Sequence, residues 1–234
     1  PKIALSSDKI VGAEALVRWY NKDLGLLTPD KFIPLFERNG FITKLDYYVW
    51  ESVCKTLGEC LEKSIPVVPV SINISRGDFD IKDLDLVIQK LADKYSVPHE
   101  LLHLELTESA YHDNPEQIRS IIEKLHKAGF IIELDDFGTG YSSLSALNQM
   151  SFDILKLDMV FMQQTENKDR ARTILRFLID MAVHLHLAVI SEGVETEELV
   201  HFLHECGCDI FQGYYFSKPV PLYDFEKLYG ELFH

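Results

Sequence analysis

At 234 residues and 47% hydrophobic content the chain can bury one sizeable core, and a charged fraction of 26% is ordinary for a water-exposed surface. The formal net charge of -14 leaves no basic footprint for polymeric nucleic acid or an anionic membrane, whereas a small anionic ligand stays open if metal ions supply positive charge. No apolar run is long enough to span a bilayer and no signal-peptide pattern opens the chain; the scattered Cys54, Cys60, Cys206 and Cys208 suit reduced thiols in a cytoplasmic protein, or in the cytoplasmic domain of a membrane-anchored one.

Short β-rich runs recur along the chain: KIAL, IVGAEALV, VVPVSIN, LLHLELT, FIIELDD, DILKLD, LAVISE and DIFQG. Amphipathic helical patterns lie between most of them. TPDKFIPLFERNG opens with Thr28 as an N-cap ahead of Pro29 and closes at Asn39 and Gly40. PEQIRSIIEKLHKAG has Pro115 in its first turn and Gly129 as a stop. His184 and His186 suit a helix end leading into a strand. Alternation of strand and helix implies parallel pairing through crossover helices, and about eight strands in this length fit a (β/α)8 TIM-type barrel better than an open sheet. No linker or composition break divides residues 1 to 234, which read as a single domain.

The apolar runs share a second feature, because most finish on a polar side chain. In order these are Glu14, Asn73, Glu105, the pair Asp135 and Asp136, Lys156 with Asp158, Glu192 and Gln212. In a barrel of parallel strands the carboxyl ends converge on one face, so the pattern predicts a ring of oxygens around one lysine. Alternation places Lys156 and Asp158 on one side of a strand, and Glu14 with Arg18 likewise. Asp135 and Asp136 fall on opposite sides of a regular strand, and a turn into the glycine loop that follows is expected to present both. Hard oxygen donors without thiol or imidazole select magnesium, manganese or calcium, with two ions sharing Asp135.

EALVRW (14 to 19), SINIS (71 to 75), ELTES (105 to 109), DDFGTGYSSL (135 to 144), KLD (156 to 158), EGVET (192 to 196) and QGYYFSKP (212 to 219) together resemble the EAL-domain family of cyclic di-GMP phosphodiesterases, in family order. The resemblance implies a barrel whose first strand is antiparallel, and hydrolysis of one phosphodiester bond of cyclic di-GMP to linear pGpG. It implies that Glu14, Asn73, Glu105, Asp135 and Glu192 ligate a first metal and that Asp135 and Asp136 serve a second. Lys156 would orient the attacking water with Asp158; Arg18 would contact a substrate phosphate. Glu195 and Gln212 match the remaining catalytic and substrate positions.

The same resemblance assigns Glu108 to holding the DDFGTGYSS loop, which in this family links metal binding to a dimer interface, so a homodimer is expected. Magnesium or manganese is expected to support turnover, and calcium to bind but inhibit. Family members carry a fuller first strand ending in YQP, so the strand here is expected to be truncated. The chain is expected to be a fragment of a longer protein beside a sensory or diguanylate cyclase domain. Two other classes stay open: a catalytically silent cyclic di-GMP receptor module, and a metal-dependent barrel enzyme acting on a different small phosphodiester or enolisable acid.

Overall fold

The structure, a computed structural model, describes residues 1–107, 110, 114–137, 143–159, 167–225 and 227. All eight apolar runs form strands. In chain order these are β1 (Lys2–Ala4), β2 (Lys9–Glu14), β5 (Val70–Asn73), β6 (Leu102–Thr107), β7 (Ile131–Phe137), β8 (Ile154–Asp158), β9 (Ala188–Glu192) and β10 (Ile210–Phe211). Two further strands, β3 (Trp19–Asn21) and β4 (Gly25–Leu27), make a separate hairpin that the periodicity does not announce. The eight follow the closed order β1-β10-β9-β8-β7-β6-β5-β2, the strand arrangement of a (β/α)8-type barrel. Among the described residues no helix is long and apolar enough to cross a membrane.

One compact unit comprises Pro1–Ala13 with Ile132–His234. Within it β1 is antiparallel to both β2 and β10, with Ile3 opposite Ile10 and Phe211, as expected of the first strand. The β10, β9, β8 and β7 pairings are parallel. Parallel strands are covered on both faces, which is why ILKL and AVIS lack a regular alternation of apolar and polar residues, Lys156 and Ser191 being buried with their apolar neighbours. Helices α5 (Ser143–Gln149), α6 (Lys168–His184) and α7 (Glu197–Glu205) belong to this unit. The α6 helix buries Leu175, Ile179 and Ala182 and packs on β9. His184 ends α6, and His186 lies in the turn that leads to β9, as the pattern suggests. The N-caps of α6 and α7 are Asn167 and Thr196, whose side-chain oxygens accept from the N–H groups of Arg170 and Leu199.

The other unit is Glu14–Ile131. It holds the β3/β4 hairpin, helices α1 (Pro29–Asn39), α2 (Ile42–Glu62), α3 (Leu84–Lys94) and α4 (Pro115–Lys127), and the parallel pair β5 and β6. Asn21 shapes the hairpin turn, its Oδ1 accepting from the N–H groups of Asp23 and Leu24 at 2.9 and 3.1 Å. α1 begins and ends where the sequence places it, but Thr28 does not cap it with its side chain. The Lys31 N–H is taken by the Thr28 carbonyl, and the Thr28 hydroxyl turns to the Asp30 carboxylate. α2 lies against β5 with Ile42, Asp46, Trp50, Cys54 and Leu57 along its buried face. Four of these are core-forming, and Asp46 is the polar member of the stripe.

Candidate active site

Within Glu14–Ile131, three strand ends supply the polar groups. Glu14 and Asn73 are the last residues of β2 and β5, and Glu105 lies on β6 directly opposite Asn73. The register is fixed by the Ile74 N–H, which donates to the Glu105 carbonyl at 2.9 Å, and by the Ala15 N–H, which donates to the Ser71 carbonyl at 2.9 Å. The Trp50 indole N–H of α2 donates to the Asn73 carbonyl at 2.9 Å. Glu14 and Glu105 bring carboxylate oxygens within 4.8 Å of each other, and Glu105 is only 1% exposed. Two carboxylates this close in a desolvated place raise the free energy of each other's charge. A hard cation between oxygen donors offsets it, so the residues present fit a divalent ion.

Arg18 is not on the strand that carries Glu14. β2 ends at Glu14, and the chain leaves the ladder after Ala15 to build the β3/β4 hairpin, so strand alternation does not relate the two side chains. Arg18 is half-buried, and its Nη1 donates to the Val17 carbonyl at 2.8 Å.

Within the other unit, β7 presents both aspartates by a different route from the one the sequence suggests. The strand runs on through Phe137, and the register passes from Leu134 opposite Leu155 to Phe137 opposite Leu157. Asp135 and Asp136 together therefore oppose the single residue Lys156. This is a β-bulge, with Asp136 at φ 57°, a conformation that aspartate tolerates better than most side chains. The Asp136 N–H donates to Asp135 Oδ1 at 2.9 Å, which fixes that carboxylate's orientation.

Lys156 is the focus of this unit. Its side chain is 1% exposed, and Nζ lies 2.7 Å from Glu192 Oε1 and 3.2 Å from Asp135 Oδ1. Asp158 is opposite Glu192 in the β8/β9 register, two residue pairs beyond Lys156 and so on the same face. Glu195 is exposed in the turn before α7. That turn is tied to Gln212 through the backbone: the Gln212 N–H donates to the Ser191 carbonyl at 2.9 Å, and the Val194 N–H donates to the Gln212 carbonyl at 3.3 Å. Gly213 is pressed so closely on Val194 that a Cβ there would sit 2.2 Å from the Val194 carbonyl oxygen. Glu108 and the loop residues 138–142 lie outside the described residues. Sequence reasoning misses Trp50 and the bulge; the hint of the first is an aromatic N–H donor on the buried stripe of α2.

The sequence matches the EAL domain over residues 1–219. The cyclic di-GMP phosphodiesterase NbdA of Pseudomonas aeruginosa is 37% identical over 227 residues, which cover 97% of this chain and 29% of that protein. The probable cyclic di-GMP phosphodiesterase PdeB of Escherichia coli is 37% identical over 225 residues, covering 96% of this chain and 42% of that one. The chain thus spans less than half the length of these two curated relatives. Among solved structures, the PaMucR phosphodiesterase in complex with c-di-GMP is similar with a TM-score of 0.89 and 31% identity, over 96% of this chain and 91% of that chain.

Proposed function

The chain belongs to the EAL domain family, and from that premise we propose that it hydrolyses one phosphodiester bond of cyclic di-GMP, releasing linear pGpG, with magnesium or manganese bound. The observation that carries this reading is Lys156, a buried ammonium held between Asp135 and Glu192 at the carboxyl ends of parallel strands. The Glu14 and Glu105 carboxylates and the Asn73 side chain, with Asp135, Asp136 and Glu192, are the proposed metal ligands. A divalent ion held there would lower the pKa of a bound water and offset charge on the phosphoryl and leaving oxygens.

The remaining roles belong to the chain's own groups. Lys156 donates hydrogen bonds without competing for a cation, and so holds the attacking water in line with the phosphorus. Asp158 supports that water, and Glu195 stands at the rim as a further catalytic carboxylate. The guanidinium of Arg18 suits a phosphate oxygen, and the amide of Gln212 can donate to the nucleotide. Glu108 is proposed to brace the loop that follows β7, and a homodimer is part of the same reading. Calcium is expected to occupy the same oxygens yet support little hydrolysis, because its larger radius and looser coordination misplace the water.

The test is incubation of the purified chain with cyclic di-GMP and magnesium or manganese, followed by chromatography of the nucleotides. Accumulation of pGpG that stops on chelation is the expected result. Tight binding with no turnover would instead make the chain a receptor module, and full turnover in excess chelator would remove the metal from the mechanism.

A further inference from the structure

Two buried carboxyls meet in the unit that holds Glu14, Asn73 and Glu105, and the proposed chemistry uses neither. Asp46 of α2 is 7% exposed. Asp78 is fully buried in the 3-10 turn Arg76–Asp80 that follows β5. The two side chains are in hydrogen-bond contact. Asp78 Oδ2 accepts the Ser75 N–H at 2.8 Å. Asp46 Oδ2 and Asp78 Oδ1 are shielded from water and take no other donor.

Among the described residues, the neighbours that act most strongly on the pair include no counter-charge. Glu37 of α1 adds negative potential at Asp46, while Ser75 and the Thr43 side chain contribute only neutral hydrogen bonds. On the turn itself Arg76 and Asp80 are exposed, and on α3 the buried Asp85 is engaged by Lys124 at 3.6 Å. Two desolvated carboxylates in contact cannot both ionise near neutrality, so one proton belongs to the pair. Burial first, and then Asp46, push Asp78 up to about 8; burial raises Asp46 as well.

This pair is tied to a strand end that matters. Ser75, whose N–H Asp78 holds, follows Asn73 by two positions, and α2 carries both Asp46 and Trp50, whose indole holds the Asn73 carbonyl. Gly77 packs the same turn on the start of α2, where an added Cβ would lie 3.4 Å from Ile42. Resting on the reading of Asn73 as a metal ligand, we propose that Asp46 and Asp78 share one proton and act as a positioning pair, pinning the turn after β5 to α2 so that Asn73 keeps its place for a divalent cation. The Asp78 carboxyl O–H donates to a carboxylate oxygen of Asp46. Loss of that proton sets two negative charges in contact and drives the turn off the helix.

The sign follows from linkage. A folded-state pKa raised above the unfolded one gives stabilisation that is complete below the ordinary carboxylate range, near pH ~4, and is lost as pH rises toward about 8. Asp78→Asn replaces the shared proton with an amide N–H at every pH. Thermal unfolding in chelator and calorimetric Mn2+ binding are to be measured on the wild type, Asp78→Asn and Asp78→Ala from about pH 5.5 to about 8.5, the span over which the pair titrates.

The wild type should lose Tm with rising pH while Asp78→Asn stays level, and by the alkaline end its Mn2+ affinity should fall about threefold or more against Asp78→Asn. Asp78→Ala should be low in both at every pH. Parallel Tm profiles for the wild type and Asp78→Asn overturn the shared proton. Diverging Tm with parallel Mn2+ affinity overturns the positioning role. No Mn2+ binding at any pH overturns the reading of Asn73 and the positioning role with it, while the Tm contrast still decides the proton. Should Asp78→Asn fail to fold, carboxyl-carbon NMR of aspartate-labelled wild type decides: one aspartate titrating near neutrality is expected, and all titrating below about pH 5 overturns the pair.

Discussion

Lys156 carries the heaviest electrostatic duty of any residue in the candidate site. Its ammonium is buried against Glu192 and Asp135, so removing it leaves two carboxylates facing each other without their cation. In the chelated protein Lys156→Ala should therefore lower Tm, and added Mn2+ should restore much of the loss, since a metal can offset the same charges. With metal and cyclic di-GMP present, kcat should drop by about 10² or more while KM changes little, because the role proposed for the lysine is on the attacking water rather than in ground-state binding. Steady-state kinetics beside calorimetric Mn2+ titration checks both halves; intact kcat with a raised KM would make Lys156 a phosphate contact. Glu14→Ala, which removes one of the two oxygen donors lying within 4.8 Å, should abolish turnover and weaken Mn2+ binding together.

Single elements show where a sequence is readable and where it is not. Strands such as Ala188–Glu192 are legible because both faces are covered and the run is largely apolar before its polar end. The β3/β4 hairpin is not, because two three-residue strands with exposed Trp19, Tyr20 and Leu26 carry no buried periodicity. The bulge in β7 is hidden for a related reason. Strict alternation separates Asp135 from Asp136, and only the register against Leu155 and Leu157 places both opposite Lys156. Asp46 interrupts the apolar stripe of α2, and its partner Asp78 lies 32 positions away in a turn that no pattern links to it. Gly213 belongs to the same class of contact made between distant turns. Its Cβ would press on the backbone of Val194, oxygen and nitrogen alike, and backbone cannot swing aside as a side chain can. Gly213→Ala should therefore force apart the turns that carry Glu195 and Gln212, at a stability cost of about 1–3 kcal/mol. Denaturant unfolding measures that cost, and a raised KM for the nucleotide would show that the two turns serve the substrate.

At the scale of the whole molecule the problem is charge. A chain with a formal net charge of -14 and a dianionic ligand repel each other at long range, and the polar strand ends are mostly carboxylates. Lys156, the described cation among them, is already committed to Asp135 and Glu192. Bound cations would then do more than chemistry, by reversing the sign of the potential where the phosphates are proposed to sit. The consequence is a salt dependence opposite to that of a basic nucleotide-binding protein. In chelator, raising ionic strength shortens the Debye length from about 30 Å at 0.01 M to about 8 Å at 0.15 M and screens the repulsion. Residual binding of cyclic di-GMP should then strengthen, by about two- to fivefold, instead of weakening. With Ca2+ in place, which is expected to permit binding without turnover, affinity should rise at every salt concentration and the salt effect should shrink or reverse. Fluorescence titration of a labelled nucleotide across the salt series measures both. Binding in chelator that weakens steadily with salt would mean that lysines and arginines outside the strand ends, and not the cations, draw the ligand in.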